Sequence, residues 1–342
     1  MITISLCMIV KNEERVLRRC LDCVKDLVDE LIIVDTGSTD ATKQIAAQYT
    51  DQLFDFRWID DFSAARNFAF SKATQEYIYS ADADEVIDAI NQQRFLELKK
   101  TLSKEVEIVQ MKYGNQLQYG TVYNYDEELR PKLFRRLREF CWEGSVHEMV
   151  RLEPVILECD VVITHMPLAP HGSRDLTIFK QQILSSVKLS KRLQNMYAKE
   201  LYMVGELDDF ACAAHYFEES VANSTRGEDE IKEAACIAAK AARLAGDELR
   251  FMKYACKAIA LESCSEICME LGLFYEAKED FEEAIIWYYN AAYQTTPSLS
   301  ITAGTSLPLN GIARCYYILG KPDDAIEYEK LAREASQPRM EG

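Results

Sequence analysis

The chain has 342 residues, 48% hydrophobic and 10% aromatic, enough for two ordinary domains each with its own core and incompatible with a disordered polymer. A net charge of −17 excludes a nucleic-acid backbone or an anionic membrane surface as the main partner, although the run RPKLFRRLR at 130–138 is locally basic.

Residues 4–10 (ISLCMIV) form a short continuous apolar run, as a buried parallel strand requires. Lys11-Asn12-Glu13-Glu14 then leads into a helix expected over 14–27, with Val16, Leu17, Leu21, Val24 and Leu27 at helical spacing. LIIVD (31–35) reads as a second buried strand, and TGSTDATKQIAAQY after it as a turn and a helix with Ser38, Thr39 or Asp40 as N-cap candidates. Within RWIDDFSAARNFAFSKA (57–73), Asp60 to Ser63 reads as a loop with an N-cap before a helix starting near Ala64. Arg66 in its first turn opposes the helix dipole, so either an anionic ligand such as a diphosphate or Asp60 or Asp61 compensates it.

Tyr77-Ile78-Tyr79 is a third strand, and it ends on Asp82-Ala83-Asp84-Glu85. An isolated Asp-x-Asp is more often a solvated acidic turn. Three carboxylates within four residues must be exposed or neutralised by a cation, and such oxygen ligands suit Mg²⁺ or Mn²⁺ together with substrate phosphates. Alternating strands and helices imply a parallel sheet with right-handed crossovers, in which ligands bind beyond the carboxyl ends of the strands. Asp35, Asp82 and the loop at Lys11-Asn12 fall at such ends, and a further strand, VVITHMP (161–167), carries His165.

From about residue 180 the sequence is almost entirely helical, so the expected domains are 1–180 and 181–342. Segments 208–222, 248–260, 280–292 and 321–332 align around Ala213, Phe251, Ala284 and Ala325, spaced 38, 33 and 41 apart. A period close to 34 resembles tetratricopeptide repeats, and an insertion at TTPSLSITAGTSLP accounts for the longest gap. Such helical pairs bury their faces only by stacking, which creates a concave surface. Acceptor binding, homodimerisation and capping of the first domain compete as its use.

No stretch approaches the roughly 20 apolar residues of a membrane-spanning helix, and the N-terminus enters a strand without a basic leader or a small-residue cleavage site. A cytoplasmic location is expected. The 11 cysteines fit it, being odd in number, scattered and mostly set in apolar runs. Cys20 and Cys23 form a C-x-x-C with no second pair at zinc spacing, inside a predicted helix, and a structural role is expected of them.

MIVKNEE after the first strand, VDTGSTDAT after the second, DDFSAARNFA, and Asp82-Ala83-Asp84 together make residues 4–90 resemble the nucleotide-sugar-binding half of glycosyltransferase family two. The resemblance extends to bacterial members with a tetratricopeptide-like tail, among them enzymes that glycosylate peptides or proteins and relatives that build surface polysaccharides. It implies an α/β catalytic domain of GT-A fold, Rossmann-like with a mostly parallel sheet, followed by an all-α tetratricopeptide-like domain. It further implies that Val10 to Glu13, Asn12 included, line the nucleobase pocket and that Asp35 accepts hydrogen bonds from uracil or ribose. Arg66 should reach the base or diphosphate with Asn67 beside it. Asp82 and Ala83 should border the nucleotide sugar, Asp82 meeting the ribose, a metal-bound water or the metal, and Asp84 should ligate Mn²⁺ or Mg²⁺. UDP is the usual nucleotide, and no residue strictly excludes GDP or a deoxythymidine form.

The family places its general base in a glycine-preceded acidic motif, and LFRRLREFCWEGSVHEMV (133–150) resembles the version with Gly, two residues, then His-Glu. That implies Glu148 as base, with Glu143 in reserve, His147 orienting the acceptor or diphosphate, and Trp142 either a platform for the sugar or a core residue. His165 is implied as completing the metal shell, although Met166-Pro167 stands where relatives carry an aromatic and a glycine; His171 is the rival. The expected chemistry is an inverting, metal-dependent transfer from a UDP-sugar, with a protein or peptide side chain favoured as acceptor. A surface polysaccharide or glycolipid acceptor, or a catalytically inactive repeat-domain binding protein, are the alternatives.

Overall fold

The computed structural model describes residues 1–114, 128–137, 142–143, 149–150, 153–166, 172–185 and 188–336. These fall into two compact units, one up to residue 166 and one from residue 172. No described helix is long and apolar enough to cross a membrane.

The strands of the first unit are β1 (Ile4–Val10), β2 (Glu30–Asp35), β3 (Leu53–Asp55), β4 (Tyr77–Ala81), β5 (Glu85–Val86), β6 (Ile108–Gly114), β7 (Glu128–Arg135), β8 (Trp142–Glu143), β9 (Met149–Val150) and β10 (Ile156–His165). Among the described residues eight of them form one sheet in the order β3-β2-β1-β4-β7-β6-β10-β5, while β8 pairs with β9 alone. The strands β3, β2, β1 and β4 run parallel as expected. The sheet is nonetheless mixed, because β7 enters antiparallel between β4 and β6, and β5 lies antiparallel beside β10.

The first strands read as continuous apolar runs because helices cover both faces of the sheet. Ile4, Leu6, Met8 and Val10 of β1, with Tyr77 and Tyr79 of β4, pack beneath α1 (Leu17–Val24), α2 (Thr42–Ala46) and α4 (Ala89–Thr101). The alternate residues Cys7, Ile32, Val34 and Ile78 pack against Ala69 and Ala73, at the end of α3 (Phe62–Lys72) and just beyond it. The first of these helices is shorter than the span expected over 14–27, since the chain first makes a turn in which the Glu13 carbonyl accepts from Val16 and Leu17. Asp61 caps α3, its side chain accepting from the Ala64 N–H.

The second unit is helical: α5 (Gly172–Leu184), α6 (Lys191–Val204), α7 (Leu207–Ala222), α8 (Glu228–Leu244), α9 (Glu248–Ala260), α10 (Ser265–Ala277), α11 (Phe281–Tyr289), α12 (Ser306–Ile318) and α13 (Pro322–Ala335). The four recurring segments fall on α7, α9, α11 and α13, and their aligned residues Ala213, Phe251, Ala284 and Ala325 are all fully buried. Small or flat side chains recur there because neighbouring helices approach closely. The ring of Tyr288 on α11 is gripped between Gly272 of α10 and Gly311 of α12, where an added Cβ would meet ring carbons at 2.4 and 2.6 Å. The inserted segment is held by one buried carboxylate: Glu266 accepts from the backbone N–H groups of Ser298, Leu299 and Ser300 at 2.7–3.0 Å.

Candidate active site

At the carboxyl end of β1 the chain turns through Asn12, whose φ of 58° is left-handed, a region asparagine tolerates. Its N–H donates to Ser38 Oγ (2.9 Å) and its Oδ1 accepts from the Thr39 N–H (2.8 Å). The Val10 carbonyl accepts from the N–H and hydroxyl of Thr36, and the Glu13 N–H donates to Thr42 Oγ1 (2.7 Å). These bonds join the loop after β1 to the loop after β2, so Val10, Asn12 and Glu13 stand on one wall with Asp35.

Asp35 ends β2 and is 1% exposed. Its Oδ1 accepts from the Gly37 and Ser38 N–H groups, both at 2.9 Å, in a turn where Gly37 adopts a φ of 106°. Its Oδ2 is buried and has no hydrogen-bond partner among the described residues. A buried acceptor left unmatched costs about 1–3 kcal/mol, so a ligand N–H or hydroxyl at this point recovers what the fold leaves unpaired.

Across the strand ends lies the acidic loop. Arg66 reaches over from α3, donating to Ser80 Oγ (2.8 Å) and to Asp82 Oδ1 (2.7 Å). The arginine that opposes its helix dipole is therefore compensated by Asp82. Asp60 instead accepts from Trp58 Nε1, and Asp61 is spent on the cap. Lys132, buried on β7, lies 3.9 Å from Asp82 Oδ2 and pairs closely with Glu85. Burial by itself raises the Asp82 pKa, but Arg66 and Lys132 outweigh it and lower the value to about 2. For the fully buried Glu85 burial wins over the pull of Lys132, pushing its pKa up to about 7.

Asp84 faces the other way. Its Oδ2 is 3.1 Å from Nε2 of His165, the last residue of β10, and both side chains are largely buried. The approach follows from the antiparallel register, which sets His165 opposite Glu85, and from the Met166 N–H donating to the Asp84 carbonyl (3.1 Å). The Tyr113 ring lies against the imidazole, centroids 5.5 Å apart, with the Arg130 guanidinium 3.9 Å from the tyrosine centroid. Ala83 is buried between the two aspartates, and Asn67 is exposed on α3.

The fold thus brings Val10, Asn12, Glu13 and Asp35 to one side, and Arg66, Asp82, Ala83, Asp84 and His165 to the other. Glu148, His147 and His171 lie outside the described residues, and Trp142 and Glu143 are described through the backbone of β8 alone. Among the described residues no three His, Cys, Asp or Glu side chains converge as a complete metal-ligand set. Asp84 and His165 supply two donors, a carboxylate oxygen and an imidazole nitrogen. That number fits a Mg²⁺- or Mn²⁺-type centre that leaves positions to phosphate oxygens and water. Asp82 is engaged by Arg66 instead.

Lys132, Ser80 and Tyr113 were missed by sequence reasoning. The one available signal was the basic run at 130–138, in which Lys132 is the buried cation among the described residues.

Residues 5–151 match the family model "Glycosyl transferase family 2", and residues 265–337 match "Tetratricopeptide repeat". A TPR repeat-containing protein of Synechococcus elongatus is 40% identical over 152 residues, covering 44% of this chain and 36% of that protein. The SPbeta prophage-derived glycosyltransferase SunS of Bacillus subtilis is 32% identical over 149 residues, covering 43% of this chain and 34% of SunS. The matches thus span only about a third of the length of these curated relatives, 36% and 34%. A solved structure of glucosyl-3-phosphoglycerate synthase from Mycobacterium tuberculosis, in complex with Mn²⁺ and UDP-glucose, aligns with a TM-score of 0.38 at 14% identity over 56% of this chain and 81% of that one.

Proposed function

Because residues 5–151 match the model of glycosyl transferase family 2 and residues 265–337 that of a tetratricopeptide repeat, we propose that the chain is an inverting glycosyltransferase that moves a sugar from a UDP-sugar to a protein or peptide side chain. One observation carries the reading. The carboxyl ends of β2, β4 and β10 carry a buried Asp35 oxygen without a hydrogen-bond donor among the described residues, the Arg66–Asp82 ion pair and the Asp84–His165 pair.

In this reading Asp35 accepts from the uracil N–H or a ribose hydroxyl, and the loop from Val10 to Glu13 walls the base. Arg66, with Asp82 holding its guanidinium in place, offers its remaining donors to the diphosphate. Asp84 and His165 hold Mn²⁺ or Mg²⁺, which when bound stabilises the negative charge of the departing diphosphate. Glu148 takes the proton of the acceptor hydroxyl or thiol as that oxygen or sulfur attacks the anomeric carbon from the face opposite the diphosphate, which inverts its configuration. The assignment of Glu148 rests on the Gly-x-x-His-Glu motif. The helical repeats support a protein or peptide acceptor, since stacked helix pairs present an extended surface suited to a polypeptide segment; dimerisation through the same repeats is the rival use.

Calorimetry with UDP, with and without Mn²⁺, tests the proposal. The wild-type chain should bind UDP in a metal-dependent manner, and Asp84→Ala should lose the metal-dependent part alone. A wild-type chain that does not bind UDP, or binds it equally with and without the metal, sinks the reading. A panel of UDP-sugars screened for metal-dependent hydrolysis then identifies the donor.

A further inference from the structure

The C-x-x-C of the sequence lies on α1, and that helix meets the acidic loop from below. The Arg19 guanidinium donates to the Met166 carbonyl at 2.9 Å and approaches the Asp84 carbonyl at 3.5 Å. Cys20 Sγ donates to the Asp82 carbonyl at 3.4 Å, and the Ile87 N–H donates to Cys23 Sγ, also at 3.4 Å. Just over one turn of helix therefore touches backbone groups of residues 82, 84, 87 and 166, which lie on both sides of the junction of β5 with β10. Cys20 is fully buried, and burial, the largest cause, raises its pKa well above the ordinary thiol value, so it stays protonated and a donor.

The junction needs such support. The strand β5 is two residues long, and its pairing with β10 consists of Thr164 opposite Val86 and His165 opposite Glu85. So short a ladder leaves the placing of Asp84 against His165 to the contacts beside it: the Met166 N–H donates to the Asp84 carbonyl at 3.1 Å, and Arg19 reaches the Asp84 and Met166 carbonyls from α1. One guanidinium nitrogen, Nη2, serves both carbonyls, and a lysine, whose side chain ends one atom shorter, reaches them poorly.

We propose that Arg19 is a positioning residue that fixes Asp84 against His165, and that Cys20 and Cys23 pin the two ends of the same loop, so that the C-x-x-C acts as a mechanical clamp on the metal-binding segment. The inference rests on the reading that Asp84 and His165 hold the metal. Removing groups that orient metal ligands typically costs about 10–100-fold in metal affinity.

The test measures UDP affinity by calorimetry with and without Mn²⁺, alongside thermal unfolding, for the wild-type full chain, Arg19→Met, Arg19→Lys and Cys20→Ala. Methionine keeps the apolar stem of the side chain. Folded Arg19→Met should bind UDP without metal within about twofold of wild type while its Mn²⁺-dependent gain falls about tenfold or more, and Arg19→Lys should recover part of that gain. A merely structural role would lower the melting temperature and leave the Mn²⁺-dependent gain intact; that result in Arg19→Met overturns the inference. If Arg19→Met does not fold, Cys20→Ala decides: a weakened Mn²⁺ gain supports the clamp, and an unchanged one refutes it. A wild-type chain without metal-dependent UDP binding removes the functional reading itself, an outcome visible before any variant is compared.

Discussion

Gly272→Ala should destabilise the helical unit, although alanine is the better helix former. A Cβ at residue 272 would lie 2.4 Å from Cδ1 and Cε1 of Tyr288, whereas ordinary contacts begin at 3.4 Å, so about 1 Å must be found. The ring has nowhere to go. Gly311 lies against its other side, where a Cβ would stand 2.6 Å from Cε2, and the ring is fully buried. Its hydroxyl is bonded to Glu276, which also pairs with Arg314 of α12 at 2.8 Å. Overpacking of this kind costs about 1–3 kcal/mol, and the overlap argues for the upper part of that range. The intrinsic helix preference for alanine over glycine returns about 0.8–1 kcal/mol. A net loss of about 1–2 kcal/mol follows, or a fall of roughly 2–8 °C in Tm for a unit of this size. Urea and thermal unfolding of the full chain, followed by the helical circular-dichroism signal, give the value. Tyr288→Leu in the Gly272→Ala background should cost less than the two changes summed, because the contact they share is removed once. If Gly272→Ala equals or exceeds wild type in stability, the gripped-ring account is wrong.

Glu148→Gln should leave UDP affinity nearly unchanged and cut sugar transfer or UDP-sugar hydrolysis by about 10²–10⁴-fold, the usual range for a lost general base; full turnover in that variant rules Glu148 out. Glu30 tests the acid limb of stability. Burial raises its pKa, but hydrogen bonds from Ser5, Thr74 and Gln52 outweigh this and hold the folded value below 4.5. Its contribution is complete above pH 4.5 and lost as pH falls through the lowered folded value. Glu30→Gln should therefore be less stable than wild type at pH 7 and lose less on acidification through that window. Parallel acid curves in urea unfolding of the two proteins contradict this.

Much of the fold could be read locally. The runs ISLCMIV and LIIVD announce strands covered on both faces, and the recurrence of Ala213, Phe251, Ala284 and Ala325 announces stacked helix pairs, because each signal lies within one element or one repeat. The same holds for the acidity of the strand end at Asp82 to Glu85. What the local pattern cannot express is which carboxylate faces which partner. The residue pattern alone does not tell Asp82 from Asp84, and the family resemblance separated them by role but named no partner for Asp82 within the chain; Arg66 arrives on a helix 16 residues upstream and takes Asp82. The antiparallel entry of β7 brings Lys132 to Glu85 and Asp82, and the pairing of β5 with β10 delivers His165 to Asp84. The reversal of strand direction at β7, unforeseen in a sequence that predicted parallel crossovers, is what places a cation there. Likewise Cys20 and Cys23 carry no sign of the loop they touch more than 60 residues away.

The sequence by itself determined two kinds of domain and the chemical character of one strand end, since burial pattern and residue type are properties of short segments. Tertiary structure alone decided which group partners each carboxylate, because charge neutralisation depends on distances between groups that the sheet order, and not the chain order, brings together.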